Sequence, residues 1–230
     1  MILTKKITLL AIFSIAMGFM ETVIVVYLRK LYYPNGFNFP LVAMDLDILK
    51  AEFLREAATV VMLLAIGILT GKNAAQKFAY FIFSFAVWDI FYYVFLKILL
   101  NWPESLFTWD ILFLIPLPWV GPVLAPCIIS FTMIILALGI VYLQEKGCDM
   151  RMKAVDWLSL IAGSLVIIFS FLEDVSKYVI APDKGLMSAA VPSSYNWPLF
   201  ILGEAIIVLA IAIYFKRNKS GYEIRIKVLS

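Results

Sequence analysis

The sequence contains no histidine. That absence removes His-ligated haem, His-based zinc sites, Ser-His-Asp triads and Cys-His dyads together. Cysteine is almost missing as well. Cys127 and Cys148 fall at opposite ends of one apolar stretch, where a helix of about 20 residues holds them ~30 Å apart, far beyond disulfide reach. Both read as packing residues. Charge is scarce: Asp, Glu, Lys and Arg make up 15% of the chain, against about 25% in soluble domains. The net charge of +3 is small, and no basic tract has the spacing of a nucleic-acid motif, so no nucleic-acid partner is expected. Alternating strand patterns are absent, which disfavours a membrane β-barrel. There is no nucleophile motif, no phosphate-cradling glycine loop and no DxxxD-type metal pair within an apolar run. No cofactor is implied.

What the chain has in excess is apolar surface. Hydrophobic residues make up 63% of its 230 positions, more than a soluble core of this size can hide. Six stretches are long enough to cross a bilayer, at 7–28, 53–70, 78–99, 119–143, 155–180 and 198–215. Backbone groups in lipid must be satisfied within their own segment, so each is read as an α-helix. The expected fold is all-α: one polytopic transmembrane domain over residues 1–230 with six transmembrane helices. Lys5, Lys6 and the small residues Ala16-Met17-Gly18 resemble a cleaved leader. The apolar run continues to Leu28, however, so residues 7–28 are read as the first span.

Lys and Arg set the orientation. Most of the 19 basic residues fall on one side: Lys5, Lys6, Lys72, Lys77, Lys146, Arg151, Lys153 and the tail from Lys216 to Lys227. Both termini are therefore expected to be cytoplasmic, in a bacterial or archaeal plasma membrane. The longer connections 29–51, 100–118 and 181–197 then face outward. They carry Trp102, Trp109, Trp197 and several tyrosines, which favour the headgroup level. Residues 109–116 are too short to span and are expected to lie in the interface or re-enter it. Pro116, Pro118, Pro122 and Pro126 predict a kinked or broken start to the fourth span.

Against this background, carboxylates inside the spans stand out, because each costs roughly 2.5–3.5 kcal/mol at the bilayer centre. Phe19-Met20-Glu21-x-Val23 matches Phe171-Leu172-Glu173-x-Val175. Leu54-x-Glu56-Ala57-x-x-Val60 matches Leu202-x-Glu204-Ala205-x-x-Val208. Together they suggest a repeat of helical hairpins relating spans one and two to spans five and six. Asp89 gives a weaker third copy. Placed by depth, Glu21, Glu56, Asp89, Glu173, Asp174 and Glu204 fall in the middle or outer part of their spans. They sit on stripes with groups such as Ser14, Gly18, Glu52, Thr59, Phe85, Tyr92, Ser170 and Lys177. Arg55 can grip a carboxylate with two parallel hydrogen bonds, and Glu173 can pair with Lys177 at i,i+4.

The acids outnumber the bases at that depth, so some must be protonated, metal-bound or wetted by an outward-open cavity. The sequence favours an outward-facing intramembrane carboxylate site formed by Glu21, Arg55, Glu56, Asp89, Tyr92, Glu173 and Glu204, with Asp110 as a weaker addition. Oxygen ligands without histidine suit a proton, a hard metal or an organic cation. Transport or binding of such a cation is the expected function. One alternative is an intramembrane enzyme acting on a lipid or isoprenoid, using Glu21 and Asp89 as acid and base and Tyr92 or Tyr93 as donor. Another is an accessory subunit of a membrane complex, docking through Leu112-Phe113-Leu114-Ile115. The implied partners are the bilayer, a small cationic or lipid ligand, and in the last case another membrane protein.

Overall fold

A computed structural model of the chain describes residues 2–39, 41–115, 117–179 and 194–229, with side chains described over 3–39, 41–115, 117–173 and 194–219. Six helices form: α1 (Ile2–Tyr32), α2 (Leu46–Thr70), α3 (Ala74–Leu100), α4 (Leu124–Glu145), α5 (Ala154–Val179) and α6 (Trp197–Leu229). Each is long and apolar enough to cross a membrane. Large apolar side chains stay exposed along them; Leu69 is 80% exposed and Leu165 60%. A face of that kind needs lipid rather than water. The chain is an integral, multi-pass membrane protein of nearly all-α structure.

Three polar contacts show that successive helices alternate in direction. Lys6 on α1 donates to the carbonyl of Thr70 at the end of α2 (3.2 Å). Asn73, which caps α3, meets Gln144 near the end of α4. Arg217 on α6 grips Asp156 in the first turn of α5 with bonds of 2.8 and 2.6 Å. Asp156 also reaches back to the amide of Lys153 (2.7 Å), as a capping residue does. All three contacts lie at the end of the bundle where the chain begins.

Helix α3 is the hub. Both α1 and α2 pack along it, and α4 packs on its other side; α6 then joins α4, and α5 lies along α6. The closest crossings are notched by glycine. A Cβ at Gly18 of α1 would sit 2.9 Å from the carbonyl oxygen of Trp88 on α3, so nothing larger fits there. At this notch Thr22 donates to the Tyr92 carbonyl (3.1 Å). On the other side of the molecule, Gly163 and Gly203 face each other, each Cβ position 2.9 Å from the other's carbonyl oxygen. Small residues let helices approach where lipid offers no hydrophobic drive. The hairpin repeat expected from sequence finds no counterpart in packing: α5 and α6 lie side by side, whereas α1 and α2 each lie against α3.

The second departure is a β-hairpin. Residues 109–116 were expected to form an interfacial or re-entrant piece, and the fourth span to start at 119. Instead β1 (Trp109–Phe113) pairs antiparallel with β2 (Trp119–Pro122), and α4 starts at Leu124. Pro118 and Pro122 cannot donate, which stops a helix from forming there. Pro126, by contrast, sits in the first turn of α4, where its missing N–H has no helical partner to lose. The first donors of α4 are met by the loop before it: Val123 bonds the carbonyl of Thr108 (3.1 Å) and Leu124 that of Leu106 (2.7 Å). The first two turns of α2, 46–52, also precede its expected start. Asp45 caps them through the amide of Asp47 (2.9 Å).

The hairpin lies across the bundle end opposite the termini. One side of it meets α1 and α2. On the other side Gly121 abuts Phe171 of α5. Phe171 stacks between Trp119 and Tyr195, and Phe200 closes the aromatic cluster.

Candidate functional site

Beneath the hairpin, between α1, α2 and α3, lies a cavity of about 110 Å³. Helix α1 presents Glu21, Val25, Leu28, Arg29 and Tyr32 to it, a stripe at helical spacing that begins one turn after the Gly18 notch. Helix α2 adds Glu52, Arg55 and Glu56, and α3 adds Trp88, Asp89 and Tyr92. Asp110 and Ile111 to Leu114 of the hairpin form the roof, with Tyr33, Phe37 and Met44 from the loop after α1.

Three polar groupings organise it. Arg55 sits between two carboxylates: it bonds Glu52 through Nε and Nη2 (2.9 and 2.8 Å) and Glu21 through Nη1. Thr59 donates to the other oxygen of Glu21 (3.3 Å). One guanidinium thus ties α1 to α2, whose backbones mostly stay apart. The second grouping is Arg29 with Asp110 (2.9 Å), both buried. The Arg29 guanidinium lies 3.6 Å from the Trp102 ring centre and 4.4 Å from that of Phe37, and ring faces attract such a cation. Burial pushes the Asp110 carboxyl up to about 6, outweighing the lowering by Arg29, the Ile111 amide and the Tyr93 hydroxyl.

The third grouping holds the remaining acids. Glu56 accepts the Leu114 amide (2.8 Å), which anchors the roof to α2. Asp89 accepts the Ser130 hydroxyl of α4 (2.8 Å). Neither makes a salt bridge among the described residues. Five carboxylates and two guanidiniums therefore line one cavity, and both guanidiniums are already engaged. Two lining residues also carry buried donors that no described residue accepts from, Arg29 Nη1 and Trp88 Nε1. A buried donor left in that state costs roughly 1–3 kcal/mol. Among the described residues no group of three carboxylate or thiol side chains is placed to hold a metal ion.

Of the acids and partners named from sequence, Glu21, Arg55, Glu56, Asp89, Tyr92 and Asp110 meet at this cavity. Glu173 and Glu204 do not line it. Glu173 accepts from Asn196 (2.7 Å), and Glu204 bonds Thr132 of α4. The ring drawn from helical depth is thus divided, because α5 and α6 pack together on the far side of α4. Depth along a span says nothing about which neighbour a helix meets. The side chains of Asp174 and Lys177, and with them the expected Glu173–Lys177 pair, lie outside the described residues. Of the pair expected as acid and base in the enzyme alternative, Glu21 is held by Arg55 and Thr59 and Asp89 by Ser130. Arg29, Trp88 and the aromatic loop residues are lining groups that sequence reasoning did not place there, and Glu52 was placed only on the stripe that carries Glu56. Arg29 lies eight positions after Glu21 on the same face, but a base at the end of a span reads as a membrane-surface residue.

Comparison with protein-family models, with curated proteins and with solved structures found no match.

Proposed function

We propose that the protein binds a small organic cation in the cavity beneath the hairpin and carries it across the membrane. The observation behind this is a charge imbalance. Arg55 is shared by Glu21 and Glu52, and Arg29 is taken by Asp110. Glu56 and Asp89 line the same cavity and make no salt bridge among the described residues, and Arg55, the base whose charge reaches Glu56, is already held by Glu21 and Glu52. Carboxylates at membrane depth are retained where they pair with a charge or a ligand. The walls are aromatic, with Tyr32, Tyr33, Phe37, Trp88 and Tyr92, and such faces attract an ammonium group. The absence of a three-carboxylate cluster among the described residues favours an organic cation over a hard metal, which takes six or more oxygens.

The test uses the full chain, purified and reconstituted in vesicles. Ethylammonium should bind saturably, and the Glu56→Gln, Asp89→Asn double variant should weaken it at least tenfold while unfolding at a similar temperature. Radiolabelled ethylammonium should accumulate in vesicles holding the native chain and not in those holding the double variant. Binding unchanged by the two substitutions would end the proposal.

A further inference from the structure

We propose that the bundle end opposite the hairpin carries a binding site for an anionic phospholipid, in a groove between α1 and α4. Both helices pack on α3 and scarcely touch each other. The gap they leave is a groove of about 490 Å³. Thr4, Ile7 and Thr8 line one side of it, and Leu138, Gly139 and Tyr142 the other. Each set recurs at helical spacing, so one face of each helix is turned to the gap. The lining holds no charged side chain. Leu138 is 39% and Tyr142 54% exposed, and Thr4 and Thr8 are exposed as well. The groove is therefore open along the side of the bundle, where lipid lies.

Charge gathers at its rim. The flanking segments, 3–8 and 138–146, hold Lys5, Lys6 and Lys146 against one acid, Glu145. Lys6 is taken by the Thr70 carbonyl (3.2 Å). Lys5 and Lys146 are exposed, and neither makes an ion pair among the described residues. Lys146 Nζ lies 5.2 Å from the ring centre of Tyr142, which puts its ammonium beside the groove wall. Lys5 follows Thr4 and precedes Thr8 by one turn. An apolar trough with surplus positive charge at one end matches apolar tails joined to a phosphate, and basic clefts between membrane helices take such headgroups. A second copy fits less well, because a two-fold contact through this face would bring the same basic rims together. Size agrees: an engineered cavity of about 150 Å³ accepts benzene, so this volume takes roughly 20 non-hydrogen atoms, the upper part of two acyl chains.

Phosphatidylglycerol and phosphatidylcholine with identical tails, titrated onto the delipidated full chain and followed by native mass spectrometry, test this. Phosphatidylglycerol should be retained at least fivefold better. The Lys5→Gln, Lys146→Gln double variant should bring that ratio close to one. Thr8→Trp fills the groove from an exposed position and should lower phosphatidylglycerol retention at least fivefold. Glycerol phosphate, the headgroup without tails, should bind far more weakly than the lipid. The lipid series on the native chain decides the matter even where a variant fails to fold. Equal retention of the two lipids would overturn the proposal, as would a preference that survives both variants or glycerol phosphate binding as tightly as the lipid. A dimer lost in Thr8→Trp with lipid retention unchanged would assign the groove to a second copy instead.

Discussion

Removing Arg55 strips the counter-charge from Glu21 and Glu52 at once, and both acids are buried. Breaking a buried ion pair from one side costs about 3–5 kcal/mol. Arg55→Ala should therefore lower unfolding stability in detergent by that order, and Arg55→Lys should recover only part, because an ammonium cannot reach two carboxylates as a guanidinium fork does. Asp110 gives a second outcome at this scale. Its folded carboxyl holds a proton up to about pH 6, against 3.8 for the unperturbed group. The folded state then binds more protons than the unfolded one across that window. Its contribution to stability is complete below about pH 4 and is lost as pH climbs through about 6. Thermal unfolding followed across this range should show that decline in the native chain and a flatter profile in Asp110→Asn. The acids at the cavity were legible in sequence because a carboxylate inside an apolar run is conspicuous. Arg29 was not, because a base at the end of a span looks like a membrane-surface residue. Nor was Ser130, whose hydroxyl gains meaning only from Asp89 beside it.

Helices and hairpin differ in how much of them the residues announce. Six apolar runs give six helices, since lipid leaves the backbone no alternative. Their ends moved outward, at α1, α2 and α6, because helical hydrogen bonding continues past the apolar stretch into polar turns. The β-hairpin could not be seen: Trp109 to Phe113 finds its partner six residues further on, and neither strand alternates cleanly. Packing partners were equally hidden, as the paired motifs at Glu21 and Glu173 sit on helices with different neighbours. At this scale the Gly163–Gly203 crossing is the sharpest test. Gly203→Ala places a methyl 2.9 Å from a backbone carbonyl oxygen and 2.7 Å from Ile167. The carbonyl cannot step aside without moving the helix. We expect a loss of about 1–3 kcal/mol, the usual cost of overpacking, read as a lower unfolding temperature. Ala205→Leu, at an exposed position on the same helix, should have little effect.

For the molecule as a whole, the alternation of six helices puts its two ends on one side of the bilayer. The excess of Lys and Arg at that end predicts the cytoplasmic side. A cytoplasm-dependent fluorescent reporter fused after Ser230 should be active, and a periplasm-dependent one silent. The cavity beneath the hairpin then lies at the outer end of the bundle.

The hairpin touches both halves of the bundle. Leu114 is bonded to Glu56 on α2, and Gly121 rests on Phe171 of α5. These anchor points are only seven residues apart in the chain and belong to one short ribbon. Any sliding of α5 against the α1–α3 group must therefore stretch, tilt or unseat that ribbon. The ceiling over Glu56 and Asp89 is mechanically geared to a helix that contributes no atom to the chamber beneath it.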